Sequence, residues 1–402
     1  MTAPSTTRFP LYIHACGSHS ALGCDSATIQ QRLLQGHSPD MQTSNEWLND
    51  GSETVVGVAN GKLPEIGSEF IHQNTRNNRL ALSALLQIEY EIHQAIKKYG
   101  ADRVAVLVGT STSGIADGEQ ALLEHQKTGE LPSDYDYHQQ EIANTSRFIA
   151  DYFGINGPNY TISTACSSSG RVFISAQRLL KAGLVDAVIA GGADTLCKLT
   201  LNGFYGLEAL SHQICNPFSD NRNGINIGEA AAFMLLSREN PTPSQPHVAL
   251  LGAGDSSDAH HISAPHPEGN GAEQAMRKAL VNAHLEPQDV GYINAHGTAT
   301  KLNDAMEAKA IERVFGTQTP VSSTKPLTGH CLGAASSIEA AICWHTLTYK
   351  LPIPPQINDE KSEEFTIQLT KSNTQLEKNV ILSNSFAFGG NNVSLIFGYA
   401  ND

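Results

Sequence analysis

Four kinds of hydrophobic pattern recur, in the same order, in the two halves of this 402-residue chain. "LYIHACGSHSALG" (11–23) is a short apolar strand that ends in glycine and small polar residues, and "VALLGAGDSSDAHH" (248–261) reads alike. "RVAVLVGTSTSG" (103–114) has its counterpart in "VGYINAHGTAT" (290–300), each a β-rich run entering a Gly-Thr turn. "YTISTACSSSGRVFISAQRLLKAG" (160–183) matches "PVSSTKPLTGHCLGAASSIEAAICWHTLTYK" (320–350): a strand, a small-residue turn, then a helix. Hairpin-like strands bounded by glycine close each half, at 185–194 with 228–237 and at 379–390 with 391–399.

A half-chain period is too long for a solenoid. The pattern therefore predicts an α/β fold of two duplicated αβ halves packed sheet to sheet, residues 1–245 and 246–402, joined in the polar, Pro-containing "SRENPTPSQPH" (237–247). Duplication puts corresponding loops at one seam. Cys166, the His296 turn, the His330 turn and the "FAFGGNN" loop are expected to meet there.

Cys166 stands where a β-branched strand gives way to small residues and a helix reaching roughly Leu180. Unpaired N–H groups and the positive end of the helix dipole are expected to lower its thiol pKa and favour the attacking thiolate. His296 and His330, each on a turn, bring imidazole N–H groups that suit a thioester oxygen gaining charge. Lys325, five residues before His330, is placed to bind a carboxylate, with Glu307 and Asp304 the nearest candidates. In "FAFGG" (386–390) the glycine pair permits backbone angles that aim an N–H into the site. A metal site is not expected, because no third ligand stands at helical or turn spacing from the two histidines.

Composition narrows the function classes. The formal charge of −14 argues against a general nucleic-acid surface. No apolar run approaches the roughly 18–20 residues that cross a bilayer, and the start "MTAPSTTRFP" lacks a signal-peptide pattern, so a cytoplasmic protein is expected. Seven cysteines, an odd number without a CxxC pair, favour neither disulfides nor zinc.

Taken together and in this order, "TACSSSG", "NAHGTAT" with the following Asp304 and Glu307, "STKPLTGHCLGAA" and "NSFAFGGNN" resemble the elongating β-ketoacyl-acyl-carrier-protein synthases, over about residues 11–399. The resemblance implies a thiolase-like fold with αβαβα layers. It implies decarboxylative Claisen condensation of a Cys166-bound acyl group with malonyl-acyl carrier protein, in fatty acid or related polyketide biosynthesis. His296 and His330 then assist decarboxylation, the N–H groups of Cys166 and Phe388 form an oxyanion hole, and Phe388 gates the site. Lys325 and Glu307 match a supporting ion pair, Thr298 and Thr300 the pantetheine contacts, and Phe386, Gly389 and Asn391 further substrate positions. No dissociable cofactor is implied, since phosphopantetheine travels on the carrier protein.

The chain departs from the family where Asn391 replaces a threonine of "GTN", and where "RNGI" (222–225) replaces "RDGF" with Asn223 and Ile225. These changes suggest a specialised acyl chain, as in a polyene or type II polyketide system. Arg76 and Arg79, one turn apart at a helix start, are expected to meet the acidic carrier protein. Family dimerisation through a sheet edge implies a homodimer or a heterodimer with a chain-length-factor-like subunit. The chain itself keeps the nucleophile such factors lack. It has no second cysteine in 380–402 as a degradative thiolase would, and it has His330 where initiating synthases use asparagine.

Overall fold

The structure, a computed structural model, describes residues 9–242 and 245–400. Residues 243 and 244 of the inter-half segment, and the first eight residues read above for targeting, lie outside the described residues. The first half contains β1 (Leu11–Ser20), α1 (Ser26–Gln35), β2 (Met41–Ser44), β3 (Thr54–Gly57), α2 (Arg76–Leu85), α3 (Glu89–Tyr99), β4 (Val104–Gly109) and α4 (Ile115–Thr128). It continues with α5 (Asn144–Phe153), β5 (Asn159–Ile162), α6 (Ser168–Lys181), β6 (Ala187–Asp194), α7 (Lys198–Gly206), β7 (Ile227–Gly228) and β8 (Ala230–Ser237). The second half contains β9 (His247–Ser257), α8 (Asn270–Ala283), β10 (Tyr292–Asn294), α9 (Lys301–Phe315), β11 (Pro320–Ser322), α10 (Lys325–Thr328), α11 (Ala335–Thr348), β12 (Gln368–Leu369), β13 (Val380–Phe386) and β14 (Asn391–Ala400).

Hydrogen bonding orders the strands β5-β4-β6-β8-β1 and then β9-β14-β13-β10-β11-β12. The duplication is visible in the pairing. In each half two parallel ladders (β5/β4/β6; β11/β10/β13) are followed by two antiparallel ones (β6/β8/β1; β13/β14/β9). Within the large sheet, among the described residues, the halves join where Leu11 and Tyr12 pair with Leu250 and Ala249.

The half-sheets do not pack directly on each other, as the duplication alone suggested. Val172 and Phe173 of α6 and Ile338 and Ala341 of α11 share one core with Leu107 and Ala190 from one half and Leu395 and Phe397 from the other. Leu80, Ile92 and Phe148 of α2, α3 and α5 cover the outer face of the first half, and Met276 and Ile311 of α8 and α9 that of the second. The result is the expected helix-sheet-helix-sheet-helix layering. Strands such as β4 and β6, buried along their whole length, need cover on both faces, and the central helices supply it.

One close approach fixes the start of α6. A Cβ on Gly109, at the end of β4, would lie 2.3 Å from the Ser169 nitrogen, so only glycine lets the helix start press onto the strand end. Among the described residues no helix is long and apolar enough to cross a membrane.

Candidate active site

Cys166 occupies a tight turn between β5 and α6, two residues before the helix begins. Its neighbour Ala165 has φ of 51°, a left-handed conformation that costs an alanine strain. Ser168 holds the turn, with Oγ accepting from Thr164 N–H at 2.9 Å and donating to the Ala165 carbonyl at 2.6 Å. This forces the thiol out of the helix axis into a cavity of about 520 Å³.

His330 reaches the same cavity from the turn after α10, where its N–H donates to the Asn226 carbonyl at 2.6 Å. Its Nε2 lies 3.0 Å from Cys166 Sγ. The His296 ring stands edge-on to that of His330, with centroids 5.3 Å apart. His296 follows β10, and its N–H and that of Gly297 each donate to the Glu307 carboxylate at 2.8 Å, with Asn384 adding a third donor at 3.2 Å.

Lys325 is buried, and its Nζ lies 3.3 Å from His296 Nδ1. An ammonium can only donate, so His296 Nδ1 accepts, and the ring proton sits on Nε2. The ion pair expected with Glu307 is not formed. Lys325 pairs with Glu339 at 2.5 Å, while Glu307 is spent on the backbone of the His296 turn and Asp304 on the Phe218 N–H at 2.8 Å. Burial pushes Glu307 up to about 7 and Asp304 up to about 6.

Burial also decides the state of the nucleophile, against the expectation of a lowered thiol pKa. It pushes Cys166 up to about 11, although the Lys325 charge and the N–H groups of Phe388 and Cys166 itself pull it down. Both histidines are held well below their ordinary value, by burial first and the Lys325 charge second. At neutral pH the resting site is a thiol beside two neutral imidazoles.

The remaining expected positions divide. Thr298, Thr300, Phe386 and Phe388 line the cavity, the two threonine hydroxyls 2.9 Å apart and the Phe388 ring 5.6 Å from Phe204. Gly389 and Asn391 do not line it. Gly389 donates its N–H to the Ile262 carbonyl at 2.8 Å, and Asn391 Oδ1 accepts from Arg171 at 3.0 Å. The next residue, Asn392, lines the cavity in its place, and so do the departures Asn223 and Ile225. Arg76 is not a free landing site. Its guanidinium pairs with both oxygens of the fully buried Glu229, whereas Arg79 forms no ion pair among the described residues.

Cys166, His296 and His330 also form a potential ligand trio, with donor atoms all within 4.8 Å of one another. Spacing along the sequence hid this, because the third donor is the nucleophile itself. The buried Lys325 ammonium beside His296 opposes a second cation there. Sequence reasoning missed three supporting side chains: Glu339, Arg171 and the buried Asp194. Asp194 gathers the N–H groups of Ser111, Thr112 and Ala334 and the hydroxyls of Thr110 and Thr112, tying the end of β4 to the segment after His330. The one available signal was Glu339, the lone acid in the run 332–348.

Residues 78–241 match the N-terminal domain of the β-ketoacyl synthases and residues 247–360 the C-terminal domain. Nodulation protein E of Rhizobium leguminosarum bv. trifolii is 37% identical, with 96% of this chain and 98% of that one covered. The chloroplastic 3-oxoacyl-acyl-carrier-protein synthase I of Hordeum vulgare is 34% identical over 96% of this chain and 88% of its own. Among solved structures, a ketosynthase in complex with its chain length factor from Xenorhabdus doucetiae is 47% identical, with a TM-score of 0.93 and full coverage of both chains. The ishigamide ketosynthase/chain length factor is 25% identical, with a TM-score of 0.87, covering 98% of this chain and all of the other. With both domains matched and near full-length likeness to curated synthases, this chain belongs to the β-ketoacyl synthase family, acyltransferases that act as condensing enzymes on a thiolase-like fold.

Proposed function

We propose that this chain is the catalytic ketosynthase of a heterodimer with a chain-length-factor-like subunit, building a specialised polyene or polyketide chain on an acyl carrier protein. The observation that carries the catalytic part is the 3.0 Å contact between His330 Nε2 and Cys166 Sγ at the base of a cavity shared with His296. The pairing is supported by full-length likeness, at 47% identity, to a ketosynthase solved with its chain length factor.

Cys166 sulfur attacks the acyl thioester of the carrier, and the Phe388 and Cys166 N–H groups receive the oxyanion. A malonyl thioester then enters. The Nε2–H of His296 and the imidazole of His330 donate to its thioester carbonyl as CO2 leaves, and the enolate attacks the Cys166 thioester. The product is a 3-oxoacyl carrier protein two carbons longer, and the Cys166 thiolate released takes up a proton from solvent. The reaction as written requires neither metal nor dissociable cofactor. Seven unpaired cysteines suit a reducing cytoplasm, where we place the enzyme.

The test is intact mass after incubating the chain, alone and co-produced with its partner, with a panel of acyl carrier proteins. Wild type is expected to gain the mass of the accepted acyl group and Cys166→Ala none. An adduct persisting in Cys166→Ala removes Cys166 as acceptor.

A further inference from the structure

Arg171 lies one turn beyond the start of α6, the helix that follows Cys166. Its guanidinium leaves the helix sideways and meets two strands of the other half. Nη1 donates to Asp255 Oδ2 of β9 at 3.0 Å, and Nη2 donates to Asn391 Oδ1, the first residue of β14, at 3.0 Å. Asn391 in turn closes the turn that carries Phe388. Its carbonyl accepts the Ala387 N–H at 2.9 Å, and the Gly390 N–H returns to the Ala387 carbonyl at 3.0 Å. The same turn is pinned from outside by Asp258 N–H to the Gly390 carbonyl and Gly389 N–H to the Ile262 carbonyl, both at 2.8 Å.

One planar side chain therefore spans the two parts of the site that come from opposite halves of the chain: the helix behind the nucleophile and the base of the Phe388 turn. Phe388 lines the cavity into which Cys166 opens, and its N–H is among the groups that favour the Cys166 thiolate. We infer that the Arg171–Asn391 contact is a positioning device that fixes the Phe388 N–H relative to Cys166 and so tunes the acyl-transfer half of the reaction. This inference rests on the function proposed above. In that half-reaction the Cys166 S–C bond forms, the carrier's C–S bond breaks, and the thiol proton of Cys166 leaves with the pantetheine thiol. The charge that gathers on the thioester oxygen is met by the Phe388 N–H, whose placement is the variable. Decarboxylation of the malonyl thioester draws on His296 and His330 instead, and Arg171 touches neither.

The test separates these two steps in the full heterodimer. Asn391→Leu keeps the size and removes the acceptor. Asn391→Asp restores an acceptor for the guanidinium, and Arg171→Lys removes the planar fork while keeping the charge. For Asn391→Leu and Arg171→Lys, single-turnover acylation of Cys166 is expected to slow about tenfold, with KM for the carrier unchanged, as expected when a donor is misplaced rather than deleted. Malonyl-carrier decarboxylation is expected to stay within about twofold, and Asn391→Asp to recover acylation. Acylation at the wild-type rate in both variants overturns the proposal. So does a parallel loss of acylation, decarboxylation and Tm, which is the mark of a merely structural contact, or failure of Asn391→Asp to rescue. Should Asn391→Leu not fold, Arg171→Lys carries the same measurement. If wild type itself forms no adduct, the function fails rather than this inference.

Discussion

Lys325 Nζ donates to Glu339 Oε1 at 2.5 Å with the two side chains only 2% and 3% exposed. The same ammonium faces His296 Nδ1 and the His296 carbonyl, so one buried charge holds the tautomer of a candidate catalytic ring. Glu339 matters because it neutralises that charge where water cannot.

Glu339→Gln keeps the shape and removes the counter-charge. Breaking a buried pair from one side costs about 3–5 kcal/mol, because the partner charge is left unpaired. The expected outcome is a lowered Tm and a fall of about a hundredfold in malonyl-carrier decarboxylation per folded enzyme. Glu307→Gln exchanges one of the two oxygens that accept the His296 and Gly297 N–H groups for an amide that donates, rather than removing a counter-charge, and is expected to cost about 1–3 kcal/mol. Equal effects of the two substitutions in denaturant titration would sink this ranking.

The pH dependence of the nucleophile follows from burial winning over the helix start. With the Cys166 thiol pushed up to about 11, its thiolate fraction climbs about tenfold per pH unit across neutrality. Alkylation of Cys166 by iodoacetamide, followed by peptide mass spectrometry, is expected to rise from pH 7 to pH 10 without a plateau. A plateau below pH 8 would show that the dipole, Lys325 and the Phe388 N–H outweigh burial.

These outcomes also show where the sequence was legible. The paired strand-turn units and the convergence of Cys166, His296, His330 and Phe388 were readable because the duplicated strand-turn pattern is local and the seam follows from symmetry. The Lys325 partner was not. Glu339 lies on α11, and which residue of an all-round buried helix faces a given turn depends on packing that spacing does not encode. Asn391 and Asn392 were exchanged for a related reason. Side chains alternate along β14, so of two adjacent asparagines one faces the cavity and the other Arg171, and motif matching alone does not say which. The central helix layer came from the family resemblance and not from the duplication, because repeats report which units exist, not which faces they share.

His345 gives a pH signature outside the chemistry. Burial holds it down to about 4, and among the described residues its Nδ1 has no partner. Above pH 6.5 the ring is neutral folded or unfolded, and its contribution is fully present. As pH falls below 6.5 the unfolded chain takes up the proton first, and stability drops by about 1.4 kcal/mol per unit, roughly 3 kcal/mol by pH 4. His345→Phe is expected to lose that component, so its Tm should gain on wild type between pH 6.5 and 5. Parallel Tm curves would refute it.

The Cys166, His296 and His330 trio invites a metal, and Lys325 argues against one. Extended dialysis against EDTA is expected to leave acylation and condensation unchanged, with elemental analysis finding less than about a tenth of an equivalent of zinc per chain. Stoichiometric zinc with loss of activity on removal would reverse this.

Carrier docking is best tested at Arg79 alone. Arg76 offsets the buried Glu229, which also accepts the Ala59 N–H at 3.1 Å, so Arg76→Glu would set two carboxylates against each other in the interior. That variant is expected to lose folding rather than report on recognition. Arg79 is partly buried on the same helix and forms no ion pair among the described residues, so charge reversal there is expected to disturb the fold less than at Arg76, although its charge also favours the Asp117 carboxylate. Attraction to an acidic carrier acts through encounter and is screened by salt. Arg79→Glu is therefore expected to raise KM for carrier-bound acyl substrate about fivefold at low salt, to show a smaller effect at 0.5 M salt, and to spare a free pantetheine thioester. Equal losses on both substrates would remove Arg79 from the docking surface.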